Sequence, residues 1–249
     1  MQTNEPITNV LVTRPAHQST NLCQRLGEQG FQAIRFPTIE IQAIADQPFV
    51  RHKLQQSGEY DYLIFVSANA VLRADKLIDQ PWSQSDVTVV AIGPQTAATL
   101  NSIGLTPSII ADKPFDSERL LRQLPELLTG KRALIIKGEG GRDLLSEQLR
   151  QRGMRVDHAD VYKRGLPKNS SDISNQPLHY ITITSQLALE NLFLLLQPWL
   201  NELKQQSIFV VFSQRIAERA KALGCQQVLI SPEASDSGLI SAIVESSQR

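Results

Sequence analysis

The stretch Ala133–Val156, ALIIKGEGGRDLLSEQLRQRGMRV, is an apolar run, a burst of glycine carrying one arginine, and then a segment of helical character. That order is also the outline of a nucleotide-phosphate loop, where bare amides at a helix N-terminus hold an anion. GEGGRD does not satisfy GxGxxG, since Asp143 and Leu144 stand where further glycines are needed, and no GK[ST] ending follows. The next strand, MRVDHADV, offers Asp157 and Asp160 only poorly as a ribose clamp. What remains is a strand, a tight glycine turn and a helix. With Lys137 and Arg142 beside it, such a turn suits capture of a carboxylate. The plainer alternative is a turn alone, with Arg142 solvated.

The pattern occurs twice. VLVTRP and LCQRLGEQGFQAIRFPTIEI resemble this stretch and its continuation, with Gly30 opposite Gly153. YDYLIFVSANAV resembles LHYITITSQLAL, with Ser67 opposite Ser185. VVAIGPQTAATLNSIG resembles IFVVFSQRIAERAKALG, with Gly104 opposite Gly224. SIIADKPFDSERLL resembles VLISPEASDSGLI, with Asp116 and Ser117 opposite Asp236 and Ser237. Matches in one order at a nearly constant offset indicate two copies of one supersecondary unit. Short β-branched runs (LIFV, VTVVAI, ALII, YITIT, IFVVF) predict buried strands. Between them, spacings such as Ile216, Ala220 and Leu223, stopped by Gly224, predict helices. The fold class is therefore α/β: two similar parallel-sheet domains. The alternating segments 35–44 and 158–167 interrupt both copies at equivalent places and predict paired connector strands. The polar stretch 168–177, KNSSDISNQP, reads equally as a surface connection or as something functional.

The chain of 249 residues carries 25 Lys+Arg and 25 Asp+Glu, a net charge of zero. Such a balance supplies no global field for a nucleic-acid backbone or an acidic membrane, and neither is expected as a partner. Cys23 and Cys225 read as reduced thiols of a cytoplasmic protein. His17, His52, His158 and His179 lack metal-ligand spacing, so no metal site is expected. MQTNEPITNV lacks the pattern of a signal peptide, and LFLLLQPWL falls well short of the roughly 20 residues that span a bilayer.

Ligands of open α/β sheets bind beyond the carboxyl ends of the strands. That rule selects Arg14, Ser67, Asn69, Gly93, Thr96, Lys137, Gly138, Gly141, Arg142, Ser185, Gln186, Ser213 and Arg215. The set is rich in hydroxyls, glycines and cations and nearly free of carboxylates. It offers no paired-carboxylate acid–base site and no Ser-His-Asp set. A polyanion held by many hydrogen bonds fits it. Ser67 and Ser185 read equally as helix N-caps.

VLVTRP, FVSANAV, AIGPQTAATLNSIG, KGEGGRDLLSEQLRQRGMRV, DVYKR, TSQLALENL and SQRIAERAKALG together resemble, in order, the motif series of the uroporphyrinogen-III synthase family. The resemblance implies two α/β domains, 1–37 with 165–249 and 42–161, joined by a two-stranded β linker (38–41 and 162–164) around a cleft. It implies cofactor-free dehydration and cyclisation of hydroxymethylbilane, a tetrapyrrole with eight carboxylates, to uroporphyrinogen III with ring D inverted. This is lyase chemistry of haem biosynthesis. Tyr162 falls at the family's tyrosine, the candidate general acid; the alternative is a packed linker tyrosine. A monomer in transient contact with the bilane-producing enzyme is also expected. The runner-up function is a two-lobed binding protein for a small anionic ligand.

Replacing Arg142 with alanine is expected to raise the Michaelis constant more than it lowers turnover, because a lost carboxylate contact weakens ground and transition states alike. The loss should be about 1–3 kcal/mol. Steady-state kinetics check it, and an unchanged Michaelis constant contradicts it.

Overall fold

The computed structural model describes residues 8–82, 86–141, 143–167, 173 and 177–248. In chain order the strands are β1 (Asn9–Val12), β2 (Gln32–Arg35), β3 (Glu40–Gln42), β4 (Tyr62–Phe65), β5 (Thr88–Ala91), β6 (Ile109–Ile110), β7 (Arg132–Gly138), β8 (Arg155–Gly165), β9 (Tyr180–Ile183), β10 (Ile208–Val211) and β11 (Gln227–Ile230). The helices are α1 (Ala16–Glu28), α2 (Gln47–Gln55), α3 (Ala68–Asp75), α4 (Pro94–Ser102), α5 (Ser117–Gln123), α6 (Leu144–Gln151), α7 (Gln186–Leu195), α8 (Leu200–Gln206), α9 (Gln214–Ala222) and α10 (Asp236–Ser247). Among the described residues no helix is long and apolar enough to cross a membrane.

The chain forms two compact units, Met1–Glu40 with Gly165–Arg249, and Ile41–Arg164. The first unit's sheet has the order β11-β10-β9-β1-β2 and the second's β3-β8-β7-β4-β5-β6. Read from the other edge, β6-β5-β4-β7-β8 repeats the first order strand for strand. Within these two matching five-strand series every neighbour pair is parallel. The duplication in the sequence is thus a duplication of topology, with one rearrangement. The β1–α1–β2 piece opens the first unit, while its counterpart β7–α6–β8 closes the second.

The repeated glycines have one physical role. Gly30 and Gly153 lie at φ +84 and +87, Gly104 and Gly224 at φ +81 and +95. Each follows a helix in the left-handed region, which a Cβ would disfavour. The copies slip at one place. Asp116 caps α5 by accepting the Arg119 amide, but Ser235 rather than Asp236 caps α10, accepting from Gly238. Asp236 is left for another partner.

The connector strands differ in part from their sequence pattern. β3 does lie beside β8 at the edge of the second sheet. However, 158–165 is the second half of one 11-residue strand, β8. Val156 packs on one face, and Ala159 and Val161 on the other. That alternation runs through 157 as far as Val161, so nothing ends the strand at 157.

The second sheet is covered on both faces. Leu63, Phe65, Leu134 and Ile136 pack with residues of α2, α3 and α4, while Ile64, Val90, Ala133 and Ile135 pack with Leu120, Leu145 and Leu149 of α5 and α6. Burial on both faces explains why ALII and LIFV read as unbroken apolar runs. Each such Val, Leu, Ile or Phe side chain contributes about 1.5–3 kcal/mol.

α6 is tied to β8 by the Ser146 hydroxyl and His158 Nε2, 2.6 Å apart. Burial holds the His158 imidazole below its ordinary value of 6.5, and Lys137 and Arg150 push it the same way. A ring kept neutral when folded takes up its proton more readily when unfolded. Its stabilising effect is therefore present above about pH 6.5 and fades as the pH falls below that. The thermal midpoint is expected to drop from about pH 7 to about pH 5, less steeply in His158→Gln. Equal slopes in the two proteins contradict this.

Candidate functional site

β7 and β8 run in register from Arg132 opposite Arg155 to Lys137 opposite Asp160, and then Gly138 faces Tyr162. Val161 is the extra residue, a β-bulge. Without it, strict alternation would turn Tyr162 away from the face that holds Ala159 and Val161. With it, Tyr162 joins that same core and is only 1% exposed. Its ring lies against Gly138, where a Cβ would sit 2.5 Å from Cζ and 2.6 Å from Cε2. Glycine is needed at 138 because a ring occupies the side-chain space.

The phenol is held at its tip. Arg164 donates from Nη2 to Tyr162 Oη at 3.1 Å, and its guanidinium carbon lies 5.4 Å from the ring centroid. Ser67 Oγ is 3.3 Å from Oη. Ser67 is placed there by its second duty: it caps α3, accepting the Ala70 amide at 3.1 Å. Cap and site contact coexist in one hydroxyl.

Beyond Gly138 the chain turns through Gly140 and Gly141, at φ +74 and +99, into α6. Only glycine takes two such residues in a row easily. Asp143, the residue before α6, makes no side-chain cap bond. Lys137 is mostly buried and turns onto the loop, donating to the Gly140 carbonyl at 3.2 Å with Asp143 and Asp160 at 3.8 and 4.0 Å. Its charge is matched locally. Arg142 lies outside the described residues, as does most of 168–177. A cavity of about 280 Å³ opens beside this turn, lined by Lys137, Gly138, Gly140, Gly141, Ser117 and Arg164 among others.

The other expected residues of this unit are Gly93, Thr96 and Asn69. Gly93 is extended, and its reason is space, since a Cβ would meet Phe115 Cβ at 3.1 Å. Thr96 is buried in the first turn of α4, and Asn69 is half-buried in the first turn of α3. In the first unit Ser185 and Ser213 cap α7 and α9 by accepting the Ala188 and Ile216 amides. Gln186 is half-buried and Arg215 exposed at the starts of those helices. Arg14 is matched within its own unit: Nη1 lies 2.6 Å from Asp236 Oδ1, by charge rather than by an aligned hydrogen bond, and the guanidinium sits 5.2 Å from the Phe212 ring centroid. Burial pushes this guanidinium below its ordinary value, with Asp236 opposing.

The structure thus gathers Ser67, Gly138 and Tyr162 into one cluster and adds Arg164. Arg164 is absent from the residues that the sequence selects, although a signal exists. Two residues after Tyr162 in DVYKR, it shares that residue's side of a strand.

Comparison with known proteins gives one consistent result. The family model described as uroporphyrinogen-III synthase HemD matches residues 21–241. A curated protein of Escherichia coli (strain K12), named uroporphyrinogen-III synthase, is 31% identical over 247 residues, 94% of this chain and 99% of its own length. A Salmonella typhimurium protein of the same name is 32% identical over 247 residues, with the same shares of 94% and 99%. Among solved structures, a mutant uroporphyrinogen III synthase from Thermus thermophilus has a TM-score of 0.62 at 17% identity, covering 97% of this chain and 99% of that one. The Helicobacter pylori 26695 uroporphyrinogen-III synthetase has a TM-score of 0.60 at 14% identity, covering 98% and 100%. At such identities the solved structures speak for the fold.

Gly138→Ala is expected to destabilise by about 1–3 kcal/mol, the usual effect of overpacking. The loss should persist in a Tyr162→Phe background, because the crowded atoms are ring carbons, and vanish in Tyr162→Ala. Denaturant unfolding of the variants checks this; equal losses in the Phe and Ala backgrounds contradict it.

Proposed function

The chain belongs to the uroporphyrinogen-III synthase family, and from that premise we propose that it converts hydroxymethylbilane to uroporphyrinogen III as a cyclising hydro-lyase. Water leaves the hydroxymethyl group of ring A, and ring D attacks through its substituted α-carbon. The spiro intermediate then fragments and recloses with ring D inverted. Because the linear substrate closes unaided to the wrong isomer, the protein's main task is to hold one conformation, which is catalysis by orientation.

The observation that supports a proton donor is the cluster at the end of β8: a phenol 3.3 Å from the Ser67 hydroxyl and 3.1 Å from the Arg164 guanidinium. Tyr162 is buried and Ser67 half-buried, so the proton passes in two short steps. Oη releases its proton to Ser67 Oγ as Ser67 gives its own to the departing hydroxyl. The proton lost at ring closure restores the phenol. The neighbouring cavity of about 280 Å³ is smaller than the roughly 300–1,000 Å³ of a whole small-molecule pocket. It takes one part of the tetrapyrrole, such as a pyrrole with its carboxylate arms.

A two-lobed binding protein is the weaker reading. Named synthases match along nearly the whole chain.

Tyr162→Phe is expected to cut turnover of hydroxymethylbilane by about 10²-fold or more, with the melting temperature nearly unchanged and the product still the type III isomer. Near-normal turnover would remove Tyr162 from the chemistry and leave orientation alone.

A further inference from the structure

Tyr162 is buried behind Gly138, whereas Arg164 is exposed and lines the cavity. Arg164 therefore reaches the space that a ligand would enter. Its electrostatic setting differs from that of the neighbouring cation. Lys137 has two carboxylates close by and donates to a backbone carbonyl. Among the described residues Arg164 has the Tyr162 hydroxyl as its hydrogen-bond partner and no carboxylate at ion-pair distance. A neutral phenol uses one of the five guanidinium N–H donors without cancelling the charge. The ring at 5.4 Å adds a weak cation–π attraction that favours the same placement. The cavity also contains Asp116 and Glu118. Asp116 is engaged as the cap of α5, and Glu118 stands exposed beside it.

From this arrangement we infer that Arg164 is a residue of the second unit that binds a substrate carboxylate, and that Tyr162 beneath it fixes the direction of the guanidinium fork. The inference rests on the proposed reaction for the class of ligand, a polycarboxylate. A planar fork with one edge pinned presents its remaining donors in a fixed direction, and a carboxylate can take two of them side by side. Tyr162 then has two separable duties. Its proton serves the departing hydroxyl, and its oxygen positions Arg164.

The test is steady-state kinetics with hydroxymethylbilane on Arg164→Ala, Arg164→Lys, Tyr162→Phe and the Arg164→Ala, Tyr162→Phe double variant, with melting temperatures alongside. Arg164→Ala is expected to raise KM about 10–100-fold at an unchanged melting temperature. Arg164→Lys should recover only part of this, because an ammonium is a point charge and not a fork. Tyr162→Phe should raise KM in the otherwise unaltered protein and leave it unchanged once Arg164 is alanine. An unaltered KM in Arg164→Ala overturns the inference, as does a Tyr162→Phe effect on KM of equal size in both backgrounds. Turnover reports separately on the proton-donor reading: a normal kcat in Tyr162→Phe sinks that reading while KM still decides the role of Arg164.

Discussion

At Val161 the register of β8 against β7 slips by one residue, and the candidate site hangs on that slip. A single inserted residue reverses which face the following side chains occupy. It turns Tyr162 inward over Gly138, and the i, i+2 relation brings Arg164 to the same side. The glycine is the complement of the bulge: any Cβ at 138 would meet the ring below 3 Å. Ser67 completes the set because its capping of α3 fixes its hydroxyl at the end of β4, next to β7 in the sheet. Backbone register, one bare position and one helix cap thus place four groups.

The duplication sharpens the point by contrast. The offset that sets Gly30 opposite Gly153 sets Arg14 opposite Lys137, both directly after equivalent apolar runs. Each is matched by acids of its own unit, Arg14 by Asp236 and Lys137 by Asp143 and Asp160. Lys137 also braces its own turn through the Gly140 carbonyl. The same offset sets Tyr162 opposite Ile39, a buried aliphatic residue. The phenol cluster belongs to one copy alone. Two similar frames thus carry unlike side chains at this position.

Much of the fold is legible in the sequence because its signals are local. Apolar runs buried on both faces, glycines at helix ends and the repeat itself are written in short stretches, and they carry both the class and the strand equivalences. Ser67 and Ser185 are legible as caps, since Ser before an apolar helical turn suits that role; Ser213 shows the same role only in the folded chain. The pairing of Arg14 with Asp236 is not, because it depends on α10 starting one residue earlier than its counterpart α5. Nor is the role of Gly138, since a bulge leaves no mark in the sequence of either strand. A cation at the end of an apolar run, as at Arg14 and Lys137, points to ligand binding when the sequence stands alone. Asp236 and Asp160 come from elements that only the folded chain brings near, while Asp143 follows Lys137 in the same turn.

Two frames of one topology, with a phenol cluster in only one of them, are expected to direct ring closure to a single isomer. The most direct measurement supplies enzymically made hydroxymethylbilane to the purified protein, oxidises the products and separates the porphyrin isomers. The type III isomer should stand in clear excess over the type I isomer that forms without enzyme. Type I alone, from folded protein, would contradict this.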